Sequence, residues 1–197
     1  DTVDHLSKTN ISYFETFISE VEAIIIPEAT CSAMIRVDYK HYFHDQPEWK
    51  KRVEKLENKI FLATEWLYQK TDLIEVLERN GKRELSKITY HDPCHSRKMQ
   101  GVWKEPRKLL EGSFQIAEMS DSNACCGFGG VTMQTEKFHF AKTIGDQKSN
   151  MIEETGAEYV SAECSACRVQ ITDSLDRNSV KTVFKNPIEL IAKALNS

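Results

Sequence analysis

The chain has 197 residues, 40% of them hydrophobic, and a formal net charge of −4. This composition supports one folded core or two small lobes, and the acidic balance does not favour nucleic-acid binding. No apolar run approaches the roughly 20 residues of a membrane-spanning helix. The first residues are polar, unlike a signal peptide, and the chain starts without Met. We therefore expect part of a longer cytoplasmic protein.

Apolar segments of strand length recur along the chain and are separated by longer helical segments. The predicted strands are 23–27, 87–91, 114–119, 158–162 and 180–185. Because strands and helices alternate, the sequence predicts an α/β fold with a mainly parallel sheet and helices on both faces.

Apolar residues at spacings of three and four predict the helices between these strands. The first two stripes consist of Ile11, Phe14, Phe17 and Val21, and of Trp49, Val53, Leu56 and Ile60 on a long charged helix. We expect the charged helix to break near Thr71 or Asp72. A last helix is predicted to begin at Asn186 and Pro187, which form an N-cap followed by proline in the first turn.

Two segments of the chain resemble each other. The segment 23–31 aligns with 159–167, and each contains an apolar strand, a short turn and a cysteine at its last position. An isoleucine follows four residues after each of these cysteines, at Ile35 and Ile171. The similarity indicates a duplicated unit whose first copy begins before Asp1.

Five of the six cysteines follow predicted strands. They form three groups, which are Cys94 after the strand 87–91, Cys125 and Cys126 after 114–119, and Cys164 and Cys167 after 158–162. In a parallel sheet the carboxyl ends of the strands lie at one edge, where α/β proteins bind ligands. The sequence therefore predicts that the three groups converge on one site.

The residues around these cysteines favour thiolates and a bulky ligand. Cys94 and Cys164 are each expected near the start of a helix, where backbone N–H groups stabilise a thiolate. The vicinal cysteines precede glycines whose backbone can approach a ligand closely and donate hydrogen bonds to sulfur. These glycines are Gly127, Gly129 and Gly130.

The number of cysteines decides between several kinds of site. A disulfide framework is typical of smaller secreted domains. A closed zinc site needs four thiolates, and a dithiol enzyme using Cys164 and Cys167 needs two, so both leave cysteines without a role. Five thiolates repel one another unless cations neutralise them, and sulfur-rich ligand sets select iron–sulfur clusters. We expect such a cluster, with zinc and dithiol chemistry as alternatives.

Other polar residues close to Cys94 are predicted to support the site. His91 and His95 are interpreted as local or supporting histidines rather than metal ligands. A basic segment follows, and it is interpreted either as a solvated helix face or as a docking surface for a partner or anionic lipid. Its residues are Arg97, Lys98, Lys104, Arg107 and Lys108.

The cysteine pattern resembles that of the cysteine-rich CCG domain family. The family pattern is a Cys, then Cys-Cys-Gly, then Cys-x-x-Cys; here 30 residues lie between Cys94 and Cys125, and 37 between Cys126 and Cys164. The similarity includes 90–95, 105–110 and 124–130 and extends weakly back to about Ile24. The family contains heterodisulfide reductase subunits B and D, glycolate oxidase and lactate-utilisation iron–sulfur proteins, and the iron–sulfur subunit of anaerobic glycerol-3-phosphate dehydrogenase.

The resemblance implies a domain organisation and a ligand set. Residues 1–80 would be the C-terminal part of a degenerate first CCG module plus connecting helices, and residues 81–197 a complete second module. The metal site would lie at the carboxyl ends of the strands. Its residues would be Cys94, Cys125, Cys126, Cys164 and Cys167, with Gly127, Gly129 and Gly130. The first module retains Cys31 as a further candidate ligand, and Glu28 stands where another cysteine would align.

The resemblance also implies a function. The cofactor would be a 4Fe-4S cluster, of cubane or non-cubane geometry. The protein would be an electron-transfer subunit, rather than the substrate-oxidising subunit, of a flavin-dependent 2-hydroxy acid or glycerol-3-phosphate dehydrogenase. Its partners would be a flavoprotein subunit, a ferredoxin-like domain or subunit, and a quinone-reducing partner at the cytoplasmic face of the membrane. A heterodisulfide or thiol reductase subunit is the alternative.

Overall fold

Strands and helices alternate as the sequence predicts. The computed structural model describes residues 2–80, 86–130 and 135–196, and within them the chain forms six strands and eleven α-helices. The elements before residue 81 are α1 (Thr2–Glu15), β1 (Ile24–Ile26), α2 (Ala29–Ala33), α3 (Tyr39–Tyr42), α4 (Pro47–Glu57), β2 (Ile60–Leu62), α5 (Ala63–Lys70) and α6 (Leu73–Asn80). A π-helical turn, Met34–Asp38, joins α2 to α3.

The remaining elements surround the cysteines. They are β3 (Lys87–Tyr90), α7 (Cys94–Gln100), α8 (Glu105–Leu110), β4 (Gln115–Ile116), α9 (Phe138–Glu153), β5 (Tyr159–Ser161), α10 (Ser165–Arg177), β6 (Val183–Lys185) and α11 (Pro187–Asn196). A 3₁₀ turn, Thr135–Lys137, leads into α9. Among the helices of the described residues, none combines the length and the apolar composition needed to cross a lipid bilayer.

The strands form two parallel sheets. β1 pairs with β2, and the other four strands lie in the order β4-β3-β5-β6. In the larger sheet Ile88 lies opposite Tyr159, and Val160 lies opposite Phe184. Parallel neighbours need long crossover connections, and helices supply them here. The structure therefore confirms an α/β fold with parallel strands.

Helices cover both faces of the four-stranded sheet. On one face, Ile88 belongs to an apolar cluster with Leu109 of α8 and Leu190 of α11. On the other face, Val160 belongs to a cluster with Ile171 of α10. The two central strands of this sheet are accordingly buried along most of their length, at Ile88, Thr89 and Tyr90 of β3 and at Val160 and Ser161 of β5.

The prediction of a long charged helix is wrong for the C-terminal part of that helix. α4 ends at Glu57, and Ile60, which the spacing placed on this helix, begins β2. Lys59 holds the turn between them, because its ammonium donates to the main-chain oxygens of Ile18 (2.7 Å) and Val21 (2.8 Å) beside β1. Ile60 lies four residues after Leu56, as on a helix, and a strand of three residues is too short for its own pattern to show.

The helix break near Thr71 and the C-terminal helix are confirmed. α5 ends at Lys70 and α6 begins at Leu73. At the start of α11, the side-chain oxygen of Asn186 accepts a hydrogen bond from the N–H of Ile188 at 2.9 Å. Asn186 therefore satisfies one of the first N–H groups of the helix, as expected of an N-cap.

The segments β1–α5 and β5–α11 share one layout. In each, a helical crossover joins two parallel strands. At the start of the helix after the second strand, a residue donates its N–H to the side chain of a glutamate three positions later. Glu65 bonds Leu62 at 3.1 Å, and Glu189 bonds Asn186 at 2.7 Å. This layout supports the predicted duplication. The predicted module boundary after residue 80 adjoins 81–85, outside the described residues, and the division into modules stays a prediction.

Glu163 joins the two segments. Its buried carboxylate accepts hydrogen bonds from the N–H of Ala63 at 2.8 Å and from the N–H and hydroxyl of Thr64, at the start of α5. Its main-chain oxygen accepts the N–H of Ala29 at 3.0 Å, at the start of α2. Burial raises the pKa of Glu163 to about 7. One residue thus caps two helices of the first segment next to Cys164.

Replacing Glu163 with alanine tests this junction. We expect Glu163→Ala to lower the free energy of unfolding by about 2 kcal/mol or more, because the buried N–H groups of Ala63 and Thr64 lose their acceptor in either protonation state. Urea denaturation of the metal-free protein at pH 7 measures the change. Glu154→Ala, at an exposed position after α9, is the control and should change stability by less than about 0.5 kcal/mol. Equal effects would contradict a junction at Glu163.

Candidate metal centre

One cavity of about 220 Å³ lies beyond the carboxyl ends of β3 and β5. Five cysteines line it, which are Cys94, Cys125, Cys126, Cys164 and Cys167. Their thiols are free; Cys94 and Cys125 are exposed, and the other three are buried. The structure thus brings the three predicted cysteine groups to one place. Gly129 and Gly130 also border this cavity.

Cys94 is positioned by the turn after β3. Pro93 has an extended backbone and is the N-cap of α7, so Cys94 is the first helical residue. The N–H of His91 donates to the main-chain oxygen of Ser161 at 2.9 Å, which extends the pairing of β3 with β5 up to the site. The sulfur of Cys94 lies 3.4 Å from Nδ1 of His95. These contacts fix Cys94 at the edge of the sheet.

Cys164 and Cys167 are positioned by the start of α10. Cys164 is the N-cap of this helix, and its sulfur accepts the N–H of Cys167 at 3.4 Å. The sulfur of Cys167 lies 3.5 Å from that of Cys126, and the hydroxyl of Thr30 lies 3.7 Å from the sulfur of Cys164. The Cys-x-x-Cys pair therefore meets the vicinal pair on one side and α2 on the other.

The vicinal cysteines depend on Gly127. The N–H of Gly127 donates to the sulfur of Cys125 at 3.3 Å. Its φ is +97°, a conformation that favours glycine, and an added Cβ would lie 2.7 Å from the main-chain oxygen of Ala141. That oxygen accepts a hydrogen bond from the side chain of Gln170 at 2.8 Å. Only glycine lets the loop pack this closely against α9 and α10.

Asp92 ties the turn that carries Cys94 to the loop before the vicinal cysteines. Its buried carboxylate accepts hydrogen bonds from Arg97 (2.5 Å), Arg107 (2.6 Å) and the hydroxyl of Ser122 (3.0 Å), and its N–H donates to the main-chain oxygen of Ser122 at 2.9 Å. Burial opposes ionisation of Asp92, but the two arginines outweigh it and lower its pKa. The sequence alone does not reveal this residue, because its partners lie up to 30 positions away.

Much of the basic segment is engaged in ion pairs. Arg97 and Arg107 bind Asp92, and Arg107 also binds Glu118 at 2.6 Å. Lys108 pairs with Glu111 at 2.7 Å. These three cations form ion pairs with carboxylates of the same chain. Most of the positive charge that a docking surface would need is therefore already paired.

His91, interpreted from the sequence as a local or supporting histidine, is buried beside Cys126 and Cys167. It is 1% exposed, and its Nδ1 has no hydrogen-bond partner among the described residues. A ring nitrogen of His91 and the sulfurs of Cys126 and Cys167 all lie within 4.8 Å of one another. An unpartnered buried nitrogen is costly, and five thiols share its cavity. This donor set fits an iron–sulfur cluster.

The thiols share protons in the metal-free protein. Hydrogen bonds with Cys126 raise the pKa of Cys125 and of Cys167, and the pKa of Cys126 is correspondingly lowered. Hydrogen bonding from Cys167 lowers the pKa of Cys164, whereas burial raises that of Cys94. Since metal ions bind thiolates, loading the site would release the shared protons.

Cys31 and Glu28 lie beside the cavity rather than in it. Cys31 is exposed, and burial together with the charge of Glu28 raises its pKa. The carboxylate of Glu28 accepts the N–H of Thr30 at 3.2 Å and that of Ser165 at the start of α10. Burial opposes its ionisation, but these hydrogen bonds lower its pKa. Of this segment, Thr30 lines the cavity, and a metal-binding role for Cys31 stays a prediction.

A parallel α/β fold with convergent thiols defines a cysteine-rich metal-binding protein, and comparisons with known proteins give its family. The family profile described as "Cysteine-rich domain" (CCG) matches residues 88–172, which include all five cysteines of the cavity. Lactate utilization protein A of Bacillus subtilis is 33% identical over 186 residues, which are 93% of this chain and 73% of the relative. The chain belongs to the cysteine-rich CCG family.

Two further relatives agree with this assignment. Lactate utilization protein A of Shouchella clausii is 32% identical over 186 residues, with 93% of this chain and 73% of the relative covered. An uncharacterized iron–sulfur protein of Methanococcus maripaludis is 31% identical over 183 residues, which cover 90% of this chain and 32% of the relative. Together with the family profile, this relative supports an iron–sulfur cluster as the group that the site holds.

Substituting Gly127 tests the close packing of the vicinal cysteines. We expect Gly127→Ala to lower the free energy of unfolding by about 2 kcal/mol or more, because the added Cβ meets the main chain of α9 and the backbone becomes strained. Urea denaturation of the metal-free protein measures it. Gly112→Ala is the matched control, since an added Cβ there meets no atom within 4 Å. If both substitutions had the same small effect, the structure of this loop would be wrong.

Proposed function

We propose that this protein is an iron–sulfur electron-transfer subunit of an oxidoreductase complex that oxidises lactate or a related 2-hydroxy acid. The observation that carries the proposal is the convergence of five free thiols on one cavity at the edge of a parallel sheet. The substrate class is taken from the relatives named Lactate utilization protein A, of which the chain covers 73%.

The number of thiols supports a particular cluster. A cubane 4Fe-4S cluster is saturated by four cysteines. Cys94, Cys125, Cys126, Cys164 and Cys167 supply one thiol more at the same cavity. We therefore infer an open, non-cubane 4Fe-4S arrangement that uses all five. A closed zinc site would leave the fifth thiol unpaired with metal.

The surroundings of the sulfurs suit a redox role. A bound cluster supplies one-electron transfer. The N–H of Gly127 reaches the sulfur of Cys125, and that of Cys167 reaches the sulfur of Cys164. Such hydrogen bonds withdraw charge from sulfur and favour the reduced state. Cys94 and Cys125 are exposed, so electrons can enter or leave on their side of the cavity.

The partners follow from this position in an electron path. A flavoprotein subunit would oxidise the hydroxy acid and deliver electrons one at a time, directly or through a ferredoxin-like domain. A membrane quinone reductase on the cytoplasmic face would accept them. The exposed side of the site, at Cys94 and Cys125, is where both partners would approach.

Anaerobic reconstitution tests the cluster and its ligands. We expect about four irons and matching sulfide per chain, with a visible absorption band that dithionite bleaches. Cys125→Ser should lose the cluster, whereas Cys31→Ser, the matched control outside the cavity, should keep it. Iron and sulfide analysis with EPR of the reduced protein measures both variants. Zinc uptake without sulfide, or equal losses in the two variants, would overturn the proposed site.

A further inference from the structure

Lys148 of α9 carries a buried ammonium near the cysteines. Its side chain is 1% exposed, and the ammonium donates to the main-chain oxygen of Asp121 at 2.8 Å and lies 3.5 Å from the sulfur of Met119. Within residues 2–80, 86–130 and 135–196, no carboxylate forms an ion pair with it. Burying an unpaired ammonium costs several kcal/mol. Negative charges that are not in direct contact with the ammonium therefore have to offset part of this cost.

The neighbouring carboxylates have other partners. The side chain of Asp121 accepts the N–H groups of Asn123 (2.9 Å) and Ala124 (3.0 Å) and is exposed. Asp92 is neutralised by Arg97 and Arg107. Burial lowers the pKa of Lys148, and the negative charges of Asp121, Cys126, Asp92 and Cys125 oppose this shift. The vicinal cysteines therefore act on the ammonium together with the two carboxylates.

The contact with Asp121 also places Lys148 behind the loop that carries the ligands. The chain runs from Met119 and Asp121, both in contact with the ammonium, to Cys125 and Cys126 within a few residues. Among the described residues, Lys148 is not part of the cavity lining and forms no hydrogen bond with a cysteine, so it acts through the loop and through space rather than as a ligand.

We propose that Lys148 is a positioning residue whose fixed positive charge compensates the anionic cluster–thiolate unit and raises its reduction potential. The inference rests on the proposed iron–sulfur site. Reduction adds a negative charge to that unit, and a nearby buried cation stabilises the reduced state more than the oxidised state. Removing the cation while keeping the shape of the side chain should make reduction harder.

Neutral variants separate charge from hydrogen bonding. Lys148→Met keeps the length of the side chain, and Lys148→Gln keeps an N–H donor for the loop. Both remove the charge. Lys142→Met is the matched control, because it removes the same charge from an exposed position on the same helix, where solvent and salt screen it.

The readout is the reduction potential from an EPR-monitored titration of the reconstituted proteins. We expect both Lys148 variants to shift at least tenfold toward the oxidised form at a fixed potential, which is about 59 mV more negative for one electron. Lys142→Met should remain within a few-fold of the unmodified protein. Circular dichroism of the metal-free variants checks that they fold.

The outcomes distinguish this inference from the proposed function. A folded Lys148→Met that loads iron and sulfide normally but keeps the unmodified potential overturns the inference alone. A shift in Lys148→Met that Lys148→Gln abolishes also overturns it, because the loop hydrogen bond would then be the cause. Metal-free variants that both fail to fold, or folded variants that cannot retain the cluster, overturn it too, because Lys148 would then be needed for the fold or for the site rather than for its potential. An unmodified protein that binds no cluster refutes the proposed function first.

Discussion

The parallel pairing of β3 with β5 is the constraint on which the site depends. It brings the turn after β3, with Cys94, beside the turn after β5, with Cys164, although 69 residues lie between these cysteines in the chain. The hydrogen bond from His91 to Ser161 continues this pairing beyond the strands. The vicinal cysteines reach the same edge through a loop after β4, and because β4 pairs over only two residues, side chains must hold that loop.

Buried charges supply this hold. Asp92 ties the loop to the turn after β3, and Lys148 binds it from the side of α9. Glu163 anchors the turn after β5 to the first segment. The carboxylates of Asp92 and Glu163 are satisfied by arginines, hydroxyls or N–H groups, whereas the five thiols of the cavity are free. The buried charged side chains thus position the loops, and the sulfurs remain free to bind a metal.

The features that the sequence predicted are local ones. A strand followed within a few residues by a cysteine is visible in the chain, and parallel topology then implies convergence at one edge. β2 is not predicted because its first residue, Ile60, continues the helical spacing of the preceding stripe, whereas pairing with β1 gives the segment a strand conformation. Asp92 and Lys148 are not predicted because their roles arise from contacts with Ser122 and Asp121, across 30 and 27 positions. No short-range pattern marks such partners.

The first segment keeps the geometry of a cysteine turn with different chemistry. Glu28 and Cys164, which the internal similarity aligns, are both helix N-caps with nearly the same backbone, at φ −150° and ψ 112° against φ −157° and ψ 119°. Cys164 lines the cavity, whereas the carboxylate of Glu28 takes the N–H of Ser165 at the start of α10. A carboxylate reaches further than a thiol, so the same turn supports the neighbouring helix. The turn after β5 therefore supplies sulfurs to the cavity, and the turn after β1 supports the helix that carries them.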